Sequence, residues 1–169
     1  MSNKTDGNMP RSVVRKFDTG FRQLIESLSE AAVVLDGIHI AICNEQFVRL
    51  MQRSKSELDG LPITALSMPV QVDGTDTKEK LSRVLSALER GRFGTIEWLL
   101  TLPNGEPREV EVSFSGFDYY DRQLIFANIR DVTDRKRMEL ERQSLLDELA
   151  NKEQMTRLAT MAGGIVIWE

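Results

Sequence analysis

The chain has 169 residues, of which 41% are apolar and 28% charged, enough for one packed domain with extensions. A net charge of −4 and no block of five like charges argue against a nucleic-acid-binding face. The single cysteine, Cys43, excludes an internal disulfide and a multi-cysteine metal site, and it fits a reducing, cytoplasmic setting. No apolar run approaches the roughly 18 residues of a membrane span, and the first residues lack the apolar core of an export signal.

Residues 1–12 are polar, contain Gly7 and Pro10, and read as a disordered lead-in. Over 13–28, Val14, Phe17, Phe21, Leu24, Ile25 and Leu28 follow a helical spacing, predicting an amphipathic helix that Gly20 weakens by about 1 kcal/mol. Its apolar face suits either a cover for the outside of a sheet or a seam between two copies. A short buried strand over 31–35 follows, then the turn pair Asp36-Gly37 and a partner strand over 38–42. Asn44 is placed to cap a helix in which Phe47, Leu50 and Met51 share a face. Ser54 to Gly60 is a second capped turn of helix closed by glycine, and 61–76 is a connector punctuated by Pro62, Pro69 and Gly74. The helix predicted over 78–90 carries Leu81, Val84, Leu85 and Leu88 on one side and stops at Gly91.

Three strands then occupy 94–102, 108–117 and 123–129, the first two joined by the hairpin pair Asn104-Gly105. Two strands, short helices and three strands make an α+β class with a five-stranded antiparallel sheet, helices on one face. Beyond it the chain changes character. Residues 134–162 are rich in helix formers, and Asp131 and Thr133 are suitable caps. Met138, Leu145, Leu149, Met155, Leu158 and Met161 form a stripe too thin for a globular core but suited to a parallel two-stranded seam. Ala162-Gly163-Gly164 ends the helix, and 163–169 reads as the first strand of a second, truncated domain in a longer protein.

The junction Asp131-Val132-Thr133-Asp134-Arg135-Lys136 resembles the Asp-(Ile/Val)-Thr-(Glu/Asp)-Arg-Lys signature that closes a PAS sensor domain and opens its signalling helix. Ser54-Lys55-Ser56-Glu57-Leu58-Asp59-Gly60 is similar to that family's S-x-x-E-L-x-G step. The resemblance implies a PAS domain over 29–133, a signalling helix over 134–162 and the start of a second PAS domain. It also implies that Asn44 ties the opening hairpin to the next helix, and that the 78–90 helix crosses the mouth of the sheet and lines a ligand pocket. The pocket candidates are Phe47, Met51, Leu81, Leu85, Trp98, Leu100, Phe114, Phe126 and Asn128. Signal coupling is expected at Asn44, Asp131 and Thr133, and homodimer contacts at Val14, Phe17, Phe21, Met138, Leu145 and Leu149.

Trp98 reads as core filler or, by analogy with flavin-binding redox PAS domains, as a contact for FAD or another non-covalent flavin. Haem is not expected, because the 78–90 helix has no His and His39 alternates away from Ile38, Ile40 and Ile42. Covalent flavin photochemistry needs a Cys in an Asn-Cys-Arg-Phe setting, whereas Cys43 ends a strand as a small buried hydrophobe. Glu109 and Glu111 alternate with Val110 and Val112 on a solvated face, and no metal-ligand set, Walker loop or dinucleotide fingerprint appears. The sequence therefore predicts a non-catalytic sensor of a small molecule, redox state or partner. Its alternatives are a ligand-free dimerisation module, or the N-terminal part of a histidine kinase or a diguanylate cyclase/phosphodiesterase whose catalytic domain lies beyond residue 169.

Overall fold

The computed structural model describes residues 17–163. The chain falls into two compact units, Met1–Asp131 and Val132–Glu169. In the first, strands β1 (Ala31–Asp36), β2 (His39–Cys43), β3 (Gly94–Thr101), β4 (Pro107–Tyr119) and β5 (Arg122–Asp131) form one antiparallel sheet of order β2-β1-β5-β4-β3. Helices α2 (Glu45–Met51), α3 (Lys55–Leu58) and α4 (Thr77–Glu89) and a 3₁₀ turn (Ile63–Leu66) join its two halves, and α1 (Thr19–Glu26) precedes them. Strand β1 is covered on both faces, so its run of apolar residues does not alternate. Ala31, Val33 and Leu35 pack inward with Phe47, Met51, Leu58 and Leu66, whereas Ala32 and Val34 pack outward with Ile25 of α1.

Asn44 is fully buried and fixes the start of this arrangement. Its backbone N–H donates to the Ala32 carbonyl (3.1 Å), while its Oδ1 accepts from the N–H groups of Ala32 (2.9 Å) and Phe47 (3.0 Å). Its Nδ2 donates to the Glu30 carbonyl at 2.8 Å. One side chain thus continues the β1–β2 ladder, caps α2 and holds the entry to β1.

Two expectations change in this region. The residues 38–42 do not alternate simply: Val34 pairs with Ile42 but Leu35 with Ile40, so Ala41 is the extra residue of a bulge. Ile40 therefore joins the inner cluster and Ile42 the outer one. The N-terminal helix begins only at Thr19, behind an Asp18 cap whose Oδ1 accepts from the Phe21 N–H at 2.8 Å. Gly20 lies in that first turn, where it interrupts nothing, and Val14 lies outside the described residues. Phe17 and Phe21 stack at 5.5 Å, and each lies 5.1 Å from the Tyr119 ring. Within a single chain both rings cover the outer face of the sheet, and Leu24 of the same stripe is exposed.

Residues 60–71 protect both edges of the sheet. The Ile40 N–H donates to the Leu61 carbonyl and the Gly60 N–H to the Ile40 carbonyl, both at 2.9 Å, so this segment lies along β2. On the far edge the Met68 N–H donates to the Leu99 carbonyl (3.0 Å). The buried Gln71 then mimics a strand residue: its Oε1 accepts from the Leu99 N–H (2.7 Å), and its Nε2 donates to Thr77 Oγ1 (2.6 Å) and, longer, to the Leu99 carbonyl (3.3 Å). Edge strands left bare would template association, and here the connector closes part of each.

The second unit is α5 (Thr133–Gly163), 31 residues and roughly 46 Å long. Its first residue is Thr133, and the Lys136 N–H donates to the Val132 carbonyl (2.9 Å), so Val132 holds the cap position expected of Asp131 or Thr133. Strand β5 runs through Asp131, which leaves that residue inside the ladder. None of the helix is buried: Met138, Leu145, Leu149, Met155, Leu158 and Met161 are all exposed. Gly163 is still helical, and the strand expected after it lies outside the described residues.

Replacing Asn44 with Ala strips partners from two buried N–H groups, and each buried unsatisfied group costs about 1–3 kcal/mol. Asn44→Ala is expected to destabilise the domain by more than about 2 kcal/mol, measured by urea unfolding.

Candidate functional site

Between α4 and the inner face of β3, β4 and β5 lies a cavity of about 60 Å³. Leu81, Val84 and Leu85 of α4 line it, facing Ile96, Trp98, Leu100, Val112, Phe114, Ile125 and Ile129 of the sheet, together with Val33, Leu35 and Ile63. Every lining side chain is hydrocarbon or aromatic.

Trp98 is the one lining residue with a polar handle, and that handle is already occupied. The indole Nε1 donates to Ser67 Oγ (2.9 Å), and Ser67 Oγ donates in turn to the Ile63 carbonyl (2.8 Å). The ring, only 5% exposed, faces the cavity with one side. The Lys80 ammonium stands 5.8 Å from its centroid and pairs with Asp73 at 3.0 Å. Five hydrogen-bonded or charged residues from the connector and α4 therefore hold this wall: Ser67, Gln71, Asp73, Thr77 and Lys80. Ser67 and Gln71 carry no local sequence signal, because their partners Trp98 and Leu99 lie 31 and 28 positions further along the chain.

The pocket candidates separate into three groups. Leu81, Leu85, Trp98, Leu100 and Phe114 line the cavity. Phe47 and Met51 are buried in the same inner cluster but do not reach it. Phe126 and Asn128 lie on the opposite face of β5, a correction to their expected inward placement. Phe126 packs with α1 and Leu124 in the outer cluster, while Asn128 Nδ2 donates to the Glu30 carboxylate. The inward residues of β5 are Ile125, Ala127 and Ile129. This strand is apolar on both sides, so alternation carried no sign of which side faced in.

The chemistry of this wall does not fit a flavin. Pockets for ligands of that size span roughly 300–1,000 Å³ and present polar groups to fix the ring's edge; this cavity has neither. His39 lies outside it, at the β2 end beside Pro62. Cys43 is buried and its thiol is pushed up to about 11 by that burial, which removes the thiolate needed for covalent chemistry at neutral pH. Among the described residues no cluster of three or more His, Cys, Asp or Glu could hold a metal ion.

A family model for the PAS domain matches residues 29–134. The chain belongs to the PAS domain family. Three solved structures illustrate the shared fold. The PAS domain of an HTR-like protein from Haloarcula marismortui is 22% identical, with a TM-score of 0.55 over 66% of this chain and 88% of that one. The PAS domain of nitrogen regulation protein NR(II) from Vibrio parahaemolyticus is 16% identical, with a TM-score of 0.53 over 68% and 99%. A Rhodobacter sphaeroides LOV protein is 14% identical, with a TM-score of 0.56 over 66% and 64%. No curated protein matches the chain. No helix among the described residues is long and apolar enough to cross a membrane.

The PAS wall at Trp98 is open to a double-mutant test. Ser67→Ala leaves a buried indole N–H without its acceptor and is expected to cost about 1–3 kcal/mol. In a Trp98→Phe background, where no N–H remains, the same substitution loses only the Ser67–Ile63 bond and should cost at least about 1 kcal/mol less, as read from chemical unfolding of all four proteins.

Proposed function

We propose that this PAS domain senses a small molecule at the inner face of its sheet and relays occupancy through β5 to α5, a dimeric helix and an output domain in cis. The supporting observation is the composition of β5. Ile125 and Ile129 form cavity wall, and two residues beyond Ile129 the strand ends at Asp131, from which the chain continues into the helix. Displacement of the cavity wall acts on the same strand that carries the junction.

The end of β5 is held by ion pairs to neighbours on both sides. Arg108 of β4 donates to Asp131 Oδ2 at 3.0 Å, and Arg130 Nη2 donates to Glu30 Oε1 at 2.8 Å, just ahead of β1. Hydrogen bonds from Asn128 and Arg130 hold the Glu30 carboxyl below its usual range. Such partly exposed pairs add little stability, typically 0.2–1 kcal/mol. Their effect lies in fixing the direction in which the strand leaves the sheet, which suits a joint that can be rearranged at low cost. In this proposal Asp131 acts through Arg108 and Thr133 as the first residue of the helix, while Asn44 anchors the entry to β1 beside that junction, through Ala32 and Glu30. A few kcal/mol of differential binding is enough to shift a bistable helix pair.

Self-association completes the proposal. The exposed stripe of Met138, Leu145 and Leu149 is long enough for a parallel seam, and a second copy would bury it. Output of histidine-kinase or diguanylate-cyclase type would then be controlled by the geometry of that pair.

Two measurements test this. Truncation after Val132 is expected to weaken self-association at least tenfold, about 1.4 kcal/mol, by sedimentation equilibrium; unchanged association would remove the seam from α5. Asp131→Ala with Thr133→Ala is expected to leave the domain folded, with loss of less than about 2 kcal/mol, yet to make output in the full-length protein independent of its signal. Retained signal dependence in a well-folded double variant would remove the junction from the pathway.

A further inference from the structure

Resting on the reading of this domain as a sensor, we infer that its ligand is a small, uncharged, apolar molecule, such as a dissolved gas or short hydrocarbon, held between α4 and Trp98. The size of the cavity sets the first bound. At about 60 Å³ it exceeds the roughly 10–15 Å³ that one water needs but falls far below the roughly 300–1,000 Å³ of sites for cofactors and drug-sized ligands. One to about four heavy atoms fill it, since an engineered apolar cavity of about 150 Å³ accommodates benzene or xenon.

Its chemistry sets the second. A hydroxyl, amide or carboxylate entering the cavity would shed its water and meet only Val, Leu, Ile, Phe and Trp side chains. The Trp98 N–H is not available to it, because Ser67 Oγ already accepts that proton and is fixed by its own bond to Ile63. The Lys80 ammonium lies against the Trp98 ring and is paired with Asp73. An anionic ligand would therefore have to break an existing pair. An apolar ligand breaks nothing: it replaces empty space beside Leu85, Val112 and Ile129 with contacts that each contribute dispersion energy.

The helix α4 supplies the route in. Leu81, Val84 and Leu85 form a half-buried layer of side chains over the cavity, which is partly open towards solvent. A molecule of this size passes by rotamer changes in that layer, with the backbone of α4 held at its start by Asp76, whose Oδ1 caps the helix at the Lys78 N–H (2.9 Å).

Xenon is the direct probe, read in the full chain by methyl carbon chemical shifts under gas pressure. The expected result is saturable shifts at Leu85, Val112 and Ile129, at least tenfold smaller in Val112→Phe and in Val84→Phe. Two filling substitutions from opposite walls guard against one of them failing to fold, which circular dichroism checks. Acetate, polar and of comparable size, should leave the same methyl signals in place. Saturable shifts with acetate or riboflavin but not xenon would overturn the ligand class, as would xenon shifts that persist undiminished in both folded filled variants. The sensing proposal has its own readout in the self-association of the full chain. Xenon that fills the cavity without changing self-association would overturn sensing and leave the ligand class standing; self-association that responds to riboflavin and not to xenon would do the reverse.

Discussion

The fold depends on a buried side chain that substitutes for backbone. At the end of β2 the chain must turn into α2, and a turn there exposes the N–H groups of both the strand edge and the first helical turn. Asn44 satisfies one of each with a single oxygen, at Ala32 and Phe47, and spends its amide hydrogens on the chain entering β1. An asparagine can do this because it carries donor and acceptor on one short, rigid group. Aspartate would face the Glu30 carbonyl with a second oxygen, and serine has too short a reach. With that corner fixed, β1 is placed between β2 and the central strand β5, whose register turns Ile125 and Ile129 towards the cavity.

The same device recurs at the opposite edge with the other amide. Gln71 hydrogen-bonds both the N–H and the carbonyl of Leu99 and also reaches Thr77 at the start of α4. The residue links the edge of β3 to the helix that covers it. Between Asn44 and Gln71 the chain crosses from one sheet edge to the other, so the short helices and the 3₁₀ turn act as a strap across the inner face. Trp98 then closes the strap from below through Ser67. The cavity survives inside this frame because its walls are held from outside it, by polar bonds that point away from the space they enclose.

Polar interactions are thus distributed unevenly. Those that fix the core are buried and short-range, at Asn44, Gln71 and Ser67. Those at the end of β5, Arg108–Asp131 and Arg130–Glu30, are partly exposed ion pairs of small energetic weight. The two kinds meet at Glu30, whose carbonyl accepts from Asn44 and whose carboxylate accepts from Arg130. The helix that follows has the complementary character: exposed apolar side chains along its length and none buried.

The order and type of the elements were determined locally and could be read from the chain. The Asn104-Gly105 hairpin, the Asn44 cap, the stops after α3 and α4, and the abrupt change to a charged helix after Asp131 each rest on turn or cap chemistry within a few residues. The closing signature identified the family for the same reason. Tertiary contacts decided the rest. Strand β5 is apolar on both faces, so only its packing between α1 and α4 turns Ile125 and Ile129 inward and sends Phe126 and Asn128 out. The bulge at Ala41 separates Ile40 from Ile42 although both alternate with His39 in the sequence, because two covered faces remove the polar contrast that would mark a register change. Asp131 looked like a cap and is instead a strand residue tied to Arg108, 23 positions earlier, since its partner is set by the β4–β5 register and not by its neighbours in sequence. The size of the cavity, and with it the class of molecule that can enter, belongs wholly to the three-dimensional packing of thirteen side chains from six segments of the chain.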